Sequence, residues 1–123
     1  MTLKTAVAGI AALGLLFGSV AAQAHARLVS ADPAAGASVR NSPKALRATF
    51  SEAVVGQFST LELTTDKGAP VTIGRAIVNP RDHHMLMAPI GKPLAAGSYI
   101  VQWRSVGADT HRMTGHYGFR ILP

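Results

Sequence analysis

The sequence contains no cysteine among its 123 residues. Disulfide bonds and thiolate metal sites are therefore both excluded. A small chain without disulfides depends on its apolar core for stability, and 48% of these residues are hydrophobic. The side chains left to bind a metal ion are those of histidine, the acidic residues and methionine.

Acidic and aromatic residues are also scarce. Six Asp and Glu residues stand against twelve Lys and Arg, and aromatic residues make up 6% of the chain. The basic residues are scattered, without the runs and interleaved aromatics that are typical of a nucleic-acid surface. We therefore expect no nucleic-acid partner, and we interpret the positive charge as that of a solvated surface with some attraction to anionic lipid headgroups.

The sequence has only one long apolar run, at residues 6–20, and Lys4 precedes it. Ala22 and Ala24 follow it with the small-x-small pattern at which export signals are cleaved. We interpret residues 1–24 as a removable signal and residues 25–123 as one domain, because the remainder is long enough for one domain and too short for two. No second run of about 18 apolar residues follows, so we expect a soluble exported protein.

After residue 25, short β-type segments alternate with turn signals, and no segment of helical length shows an apolar stripe. This pattern favours an all-β, antiparallel Greek-key sandwich or barrel of immunoglobulin-like type with about seven strands. The expected core aromatics are Phe50, Tyr99, Trp103 and Phe119. The predicted strands are 27–31, 45–50, 58–65, 70–78, 84–88, 97–106 and 115–122.

Cleavage after Ala24 would place His25 at the amino terminus, where its α-amine and ring Nδ1 can chelate one metal ion. A second candidate pair is Asp109 and His111, because residues two apart in an extended segment point to the same face. Gly107 and Gly115 would let the flanking backbone bend. The spacing alone is more typical of a solvated pair or a local hydrogen bond than of two metal ligands. Together with His25, however, it supplies the nitrogen and oxygen donors that suit tetragonal copper(II).

Several segments after residue 24 match a known family, among them His25-Ala26-Arg27-Leu28-Val29-Ser30, Phe50-Ser51-Glu52, Val101-Gln102-Trp103-Arg104 and Asp109-Thr110-His111. Through these segments, and over nearly its whole length after residue 24, the chain resembles the CopC family of periplasmic copper-binding proteins. The resemblance implies a small Greek-key β-fold and a copper(II) site with His25, Asp109 and His111 as the main ligands. It also nominates Glu52 as an axial or outer ligand, although from the sequence alone Glu52 is equally an ordinary surface acid.

The chain differs from the best-known members of that family in its middle segment, residues 64–70, which lacks the methionines that bind copper(I) there. Thioethers favour copper(I), so the remaining candidates for such a site are Met85, Met87 and Met113, with the neighbouring His83 and His84. We predict instead that Met85 and Met87 pack in the core. We expect His83 and His84 to be exposed, and we place His116 outside the copper(II) site because an odd separation from His111 sends it to the other strand face.

These observations predict a monomeric periplasmic carrier or buffer that binds one copper(II) per mature chain and has no catalytic activity. The resemblance implies an inner-membrane partner of the CopD type. Two alternatives stay open at this stage. One is a copper-dependent oxidative enzyme with an amino-terminal histidine, and the other is a metal-free immunoglobulin-like interaction module.

Overall fold

The computed structural model describes residues 25–123, and the predicted export signal at residues 1–24 lies outside this part. Nine strands and one short 3-10 helix, Gly56–Phe58, make up the described chain. None of its helices is long and apolar enough to cross a membrane. The strands are β1 (Leu28–Asp32), β2 (Ser38–Val39), β3 (Ala45–Phe50), β4 (Thr60–Thr65), β5 (Pro70–Val71), β6 (Ile77–Asn79), β7 (Asp82–Pro89), β8 (Gly97–Val106) and β9 (Arg112–Ile121).

The strands form two sheets that pack face to face. One sheet has four strands in the order β1-β3-β7-β6, and the other has five in the order β2-β9-β8-β4-β5. All pairings are antiparallel except that of β2 with β9, which is parallel. The predicted all-β sandwich is therefore confirmed. The longest pairing, between β8 and β9, joins ten residues of each strand through a short connection.

The core lies between the sheets and follows the alternation along each strand. Leu46, Ala48 and Phe50 of β3 point inward, and each is 1% exposed or less. All four predicted core aromatics are buried, and the rings of Phe50 and Trp103 meet edge to face with centroids 5.4 Å apart. Tyr117, which we did not predict, is also buried. The sandwich is thus held by a continuous apolar layer.

The predicted strands differ from the structure in number and in extent. Residues 25–123 form nine strands and not about seven, β2 has no predicted counterpart, and β9 begins at Arg112 and not at residue 115. The predicted strand 70–78 is two short strands in different sheets, because β5 pairs with β4 and β6 pairs with β7. Between them Gly74 crosses from one sheet to the other, and its N–H donates to the Pro89 carbonyl at 2.7 Å. Strand β4 begins at Thr60 and not at Phe58, because the Phe58 N–H and the Ser59 hydroxyl both donate to the Val55 carbonyl and close a turn.

The prediction that Met85 and Met87 pack in the core is also wrong. The inward positions of β7 belong to Leu86 and Ala88, each 0% exposed. Because side chains alternate along a strand, Met85 and Met87 lie half-buried on the outer face, where they pair across to Thr49 and Arg47. His83 and His84 are exposed, as predicted.

Candidate metal centre

The segment that carries His25 is anchored at one end of the sandwich, just before β1. The Ser51 hydroxyl donates to the His25 carbonyl at 3.0 Å and accepts from the Arg27 N–H at 3.0 Å. Ala26 is completely buried, and its carbonyl accepts a hydrogen bond from the buried hydroxyl of Ser105. Ser51 belongs to the four-stranded side and Ser105 to β8, so both sheets hold this segment in place.

Asp109 and His111 lie in the loop that joins β8 to β9, at the same end of the sandwich. The loop is a tight turn in which the Thr110 N–H donates to the Gly107 carbonyl at 2.9 Å. Thr110 has a φ of 68°, in the left-handed region that β-branched residues rarely adopt. The segment is therefore not extended, and the predicted reason for the convergence of Asp109 and His111 is wrong.

The turn itself brings these two side chains together. The Asp109 carboxylate accepts the backbone N–H of His111 at 3.1 Å through Oδ1, and its Oδ2 lies 2.9 Å from His111 Nδ1. Such local bonding by an aspartate is a common way to stabilise a turn. The flanking Gly115 does not act as a bend either, because it lies within β9 and leaves space for Trp103.

His25, Asp109 and His111 form one cluster of potential metal ligands. One donor atom from each residue lies within 4.8 Å of the other two, and the rings of His25 and His111 have centroids 5.0 Å apart. His25 is half-buried, whereas the side chain of His111 is 66% exposed. Two imidazoles and one carboxylate that converge at an open surface can take up a divalent cation from solution.

The carboxylate in this cluster is held in its charged form. The hydrogen bond with the His111 side chain, and next that from the His111 backbone, hold the pKa of Asp109 below its ordinary value. The nearby charges of His111 and His25 act in the same direction. Since a carboxylate binds a metal when it is ionised, this environment keeps Asp109 ready as a ligand.

The structure leaves other sequence candidates outside this cluster. Glu52 is exposed and does not belong to the group of convergent donors in residues 25–123. Its ligand role stays a prediction. His116 lies on the exposed face of β9 in one row with Gln102 and Glu62. Sequence reasoning missed the anchoring roles of Ser51 and Ser105, although Ser51 stands inside the Phe-Ser-Glu motif.

Comparisons with known proteins agree with this architecture. Residues 28–122 match the family model of the CopC domain. A curated relative, copper resistance protein C of Pseudomonas syringae pv. tomato, is 37% identical over 123 aligned residues, which cover 96% of this chain and 96% of the relative. The similarity therefore extends over the whole fold and is not confined to one motif.

Solved structures show the same likeness. The crystal structure of CopC from Methylosinus trichosporium OB3b superposes with a TM-score of 0.75 at 30% identity, covering 80% of this chain and 95% of that chain. PcoC, a methionine-rich copper resistance protein from Escherichia coli, gives a TM-score of 0.71 at 33% identity over 80% of this chain and 99% of that chain. Both the sequence matches and the structural matches extend over most of the chain. This chain therefore belongs to the CopC family.

Proposed function

We propose that this protein is a periplasmic copper(II) carrier or buffer in copper resistance, and that it binds one ion through His25, Asp109 and His111. The observation that carries the proposal is the convergence of these three donors within 4.8 Å at the surface. The donor set has no thiolate, and copper(II) prefers such tetragonal nitrogen and oxygen ligands. The copper resistance relatives support the same cargo.

The fourth donor in this proposal is the α-amine of His25, released when the signal is cleaved after Ala24. An amine and the imidazole of the same residue form a chelate without any movement of the fold. The anchoring of the His25 carbonyl by Ser51 supports this role, because it holds the residue beside the turn of Asp109 and His111. Glu52 follows Ser51 directly and is the candidate for an additional, weaker ligand.

Binding without catalysis is the better proposal for this donor set. An oxidative copper enzyme leaves coordination positions open for oxygen, whereas Asp109 adds a third side-chain ligand to the two histidines. A filled coordination sphere around copper(II) favours storage and transfer of the ion. A carrier must also deliver its cargo, and we propose that a monomer passes the ion to or from an inner-membrane protein of the CopD type.

The proposed site can be tested by titrating the exported, purified protein with copper(II) after its amino terminus has been checked by mass spectrometry. We expect saturation at one equivalent, nitrogen hyperfine coupling in the electron paramagnetic resonance spectrum, and much weaker binding of zinc. Saturation at two equivalents of similar affinity, or a spectrum without nitrogen coupling, would contradict the proposal.

A variant with Gly-Ser placed before His25 tests the amine directly. The extension converts the amine to an amide and leaves the imidazole in place, so copper(II) affinity should fall by orders of magnitude. Both proteins are measured in competition with the same chelator. Equal affinities would remove the terminal chelate from the proposal.

A further inference from the structure

An apolar cleft of about 280 Å³ lies beside the metal-binding turn, on the outer face of the five-stranded sheet. Val55 and Phe58 from the 3-10 turn form one wall, and Ala108 and Thr110 from the β8–β9 loop form another. The Val55 N–H donates to the Val106 carbonyl at 2.8 Å, which ties the two walls together. The cleft therefore lies where β8 ends and the β8–β9 loop begins.

The cleft combines an exposed aromatic ring with positive charge. Phe58 is 52% exposed, although it is a large apolar side chain. Arg104 and Arg112 line the cleft with it, and no acidic residue does. Glu62 lines the adjacent depression on the same sheet face instead. Arg104 Nε donates to the Phe58 carbonyl at 3.2 Å, which leaves the other guanidinium N–H groups to bind a ligand.

This combination selects a particular kind of partner. An apolar side chain gains free energy by leaving water for such a cleft, and carboxylates beside it pair with guanidinium groups in charge-assisted hydrogen bonds. Residues 25–123 contain eleven Lys and Arg against six Asp and Glu, and this excess of positive charge attracts an acidic surface in the same direction. An apolar anchor flanked by carboxylates therefore complements the cleft in both polarity and charge.

The position of the cleft links it to the metal donors. Ala108 and Thr110 line the cleft, while Asp109 between them belongs to the donor cluster and His111 follows directly. A segment seated in the cleft would contact the loop that carries two of the three donors. Contact with this loop places a bound protein next to the residues that, in the proposed function, take up and release the ion.

We propose that this cleft is the docking site for an acidic segment of the protein that exchanges copper with the metal centre. In this arrangement an aromatic or aliphatic anchor of the partner contacts Phe58, and neighbouring carboxylates pair with Arg104 and Arg112. The proposal rests on the proposed copper function for the nature of the partner. The recognition itself depends only on the cleft.

The test is a nuclear magnetic resonance titration of the exported, isotope-labelled, copper-free protein. The probe is the peptide acetyl-Glu-Asp-Phe-Asp-Glu-amide, and the charge-reversed control is acetyl-Lys-Lys-Phe-Lys-Lys-amide. We expect saturable shifts at residues 55–58 and 104–112 with the acidic peptide alone. An affinity near the millimolar range is ordinary for a short flexible ligand with one anchor.

Matched variants identify the contacts. Phe58→Ser and Arg112→Gln should each weaken the binding of the acidic peptide by about fivefold or more. Ile77→Ser removes a side chain that is also 52% exposed, but on the other sheet, and Arg120→Gln removes an exposed charge at the far end of β9. These two controls should leave peptide affinity unchanged.

Three results would overturn the docking proposal: no saturable shift, equal binding of the basic peptide, or equal effects of the control substitutions. Binding of phosphatidylglycerol vesicles through Phe58 and Arg112 without peptide binding would also overturn it in favour of a lipid. Copper(II) titration of the same proteins keeps the two proposals apart. Failure of the copper function appears as absent copper binding, whereas failure of the docking proposal appears as absent peptide binding with copper binding intact.

Discussion

Oδ2 of Asp109 lies 2.9 Å from Nδ1 of His111, so the two donors of the β8–β9 loop contact each other directly. The same carboxylate also accepts the backbone N–H of His111 through its other oxygen. Asp109 therefore orients His111, and in the proposed copper site it also supplies an oxygen ligand. If the proposed site is correct, loss of this carboxylate removes one ligand and also removes the hydrogen bonds that position the other, His111.

We expect His111→Ala and Asp109→Ala each to weaken copper(II) binding by about tenfold or more, the scale of a lost ligand or a lost ligand partner. The two effects should be less than additive in the double variant, because the residues are in direct contact. His116→Ala is the control and should have little effect. Competition with a chelator measures affinity, and thermal unfolding of the metal-free proteins should stay close to that of the unsubstituted protein. Equal weakening by His116→Ala would contradict the assignment.

Copper(II) affinity should fall steeply as the medium becomes acidic. Metal binding to imidazole or amine nitrogen displaces protons, and such groups ordinarily titrate between about pH 6.5 and about pH 8. The pKa of Asp109 is lowered from its ordinary value, chiefly by the hydrogen bond with the His111 side chain, so this carboxylate stays ionised there. The slope therefore comes from the nitrogen donors.

Chelator competition from about pH 8 to about pH 5.5 measures this slope. Asp109→Asn is the matched variant and should lower the affinity without changing the slope in this range. An affinity independent of pH, or a slope that disappears in Asp109→Asn, would show that nitrogen ligands do not dominate the site.

Gly115→Ala should destabilise the fold through Trp103. A Cβ at Gly115 would lie 2.5 Å from Cζ2 of Trp103, a buried ring packed against Phe50. Forcing extra volume into a packed core costs about 1–3 kcal/mol in the free energy of unfolding. Gly91→Ala is the control, because a Cβ there meets nothing within 4 Å. Urea unfolding measures both, and equal midpoints for the two variants would contradict the packing role of Gly115.

Tyr117→Phe should leave the free energy of unfolding unchanged or raise it by up to about 1 kcal/mol, because the Tyr117 hydroxyl is buried without a hydrogen-bond partner among residues 25–123. Tyr99→Phe is the matched control and should lower it by about 1 kcal/mol, since the Tyr99 hydroxyl donates to the Ala95 carbonyl at 2.6 Å. Denaturant unfolding at neutral pH compares the two. A larger loss for Tyr117→Phe than for Tyr99→Phe would show that the Tyr117 hydroxyl has a stabilising partner.

Alkaline pH gives an independent check on Tyr117. Burial, and next the charge of Asp32, raises the pKa of Tyr117 from 10.0 to about 12. The folded state therefore disfavours the phenolate, so the free energy of unfolding falls as the pH rises from about 10, where the unfolded tyrosine ionises, toward about 12. Tyr117→Phe should lose less stability across this range than the unsubstituted protein. Identical losses would contradict the burial of this hydroxyl.

Much of the fold follows from the sequence, because alternation of apolar and polar residues acts locally. The short β-type segments between turn signals predict the all-β sandwich, and all four expected core aromatics are confirmed. The same reasoning fails at residues 70–78, where the chain crosses between sheets. It also fails at Met85 and Met87, because apolar side chains on the outer face of a sheet look like core residues in the sequence.

The residue types at the candidate site were visible in the sequence, because His25 follows a predicted cleavage pattern and Asp109 and His111 form an Asp-x-His pair. Their meeting is a property of the tertiary structure. His25 precedes β1 of one sheet, whereas Asp109 and His111 join two strands of the other, and hydrogen bonds from Ser51 and Ser105 hold the ends together. The turn at Thr110, and not alternation along a strand, brings the side chains of Asp109 and His111 together. The sequence by itself determined which types of potential ligand the chain contains. Packing of the two sheets decided where these residues converge, because only long-range contacts bring residues so distant in the chain to one point.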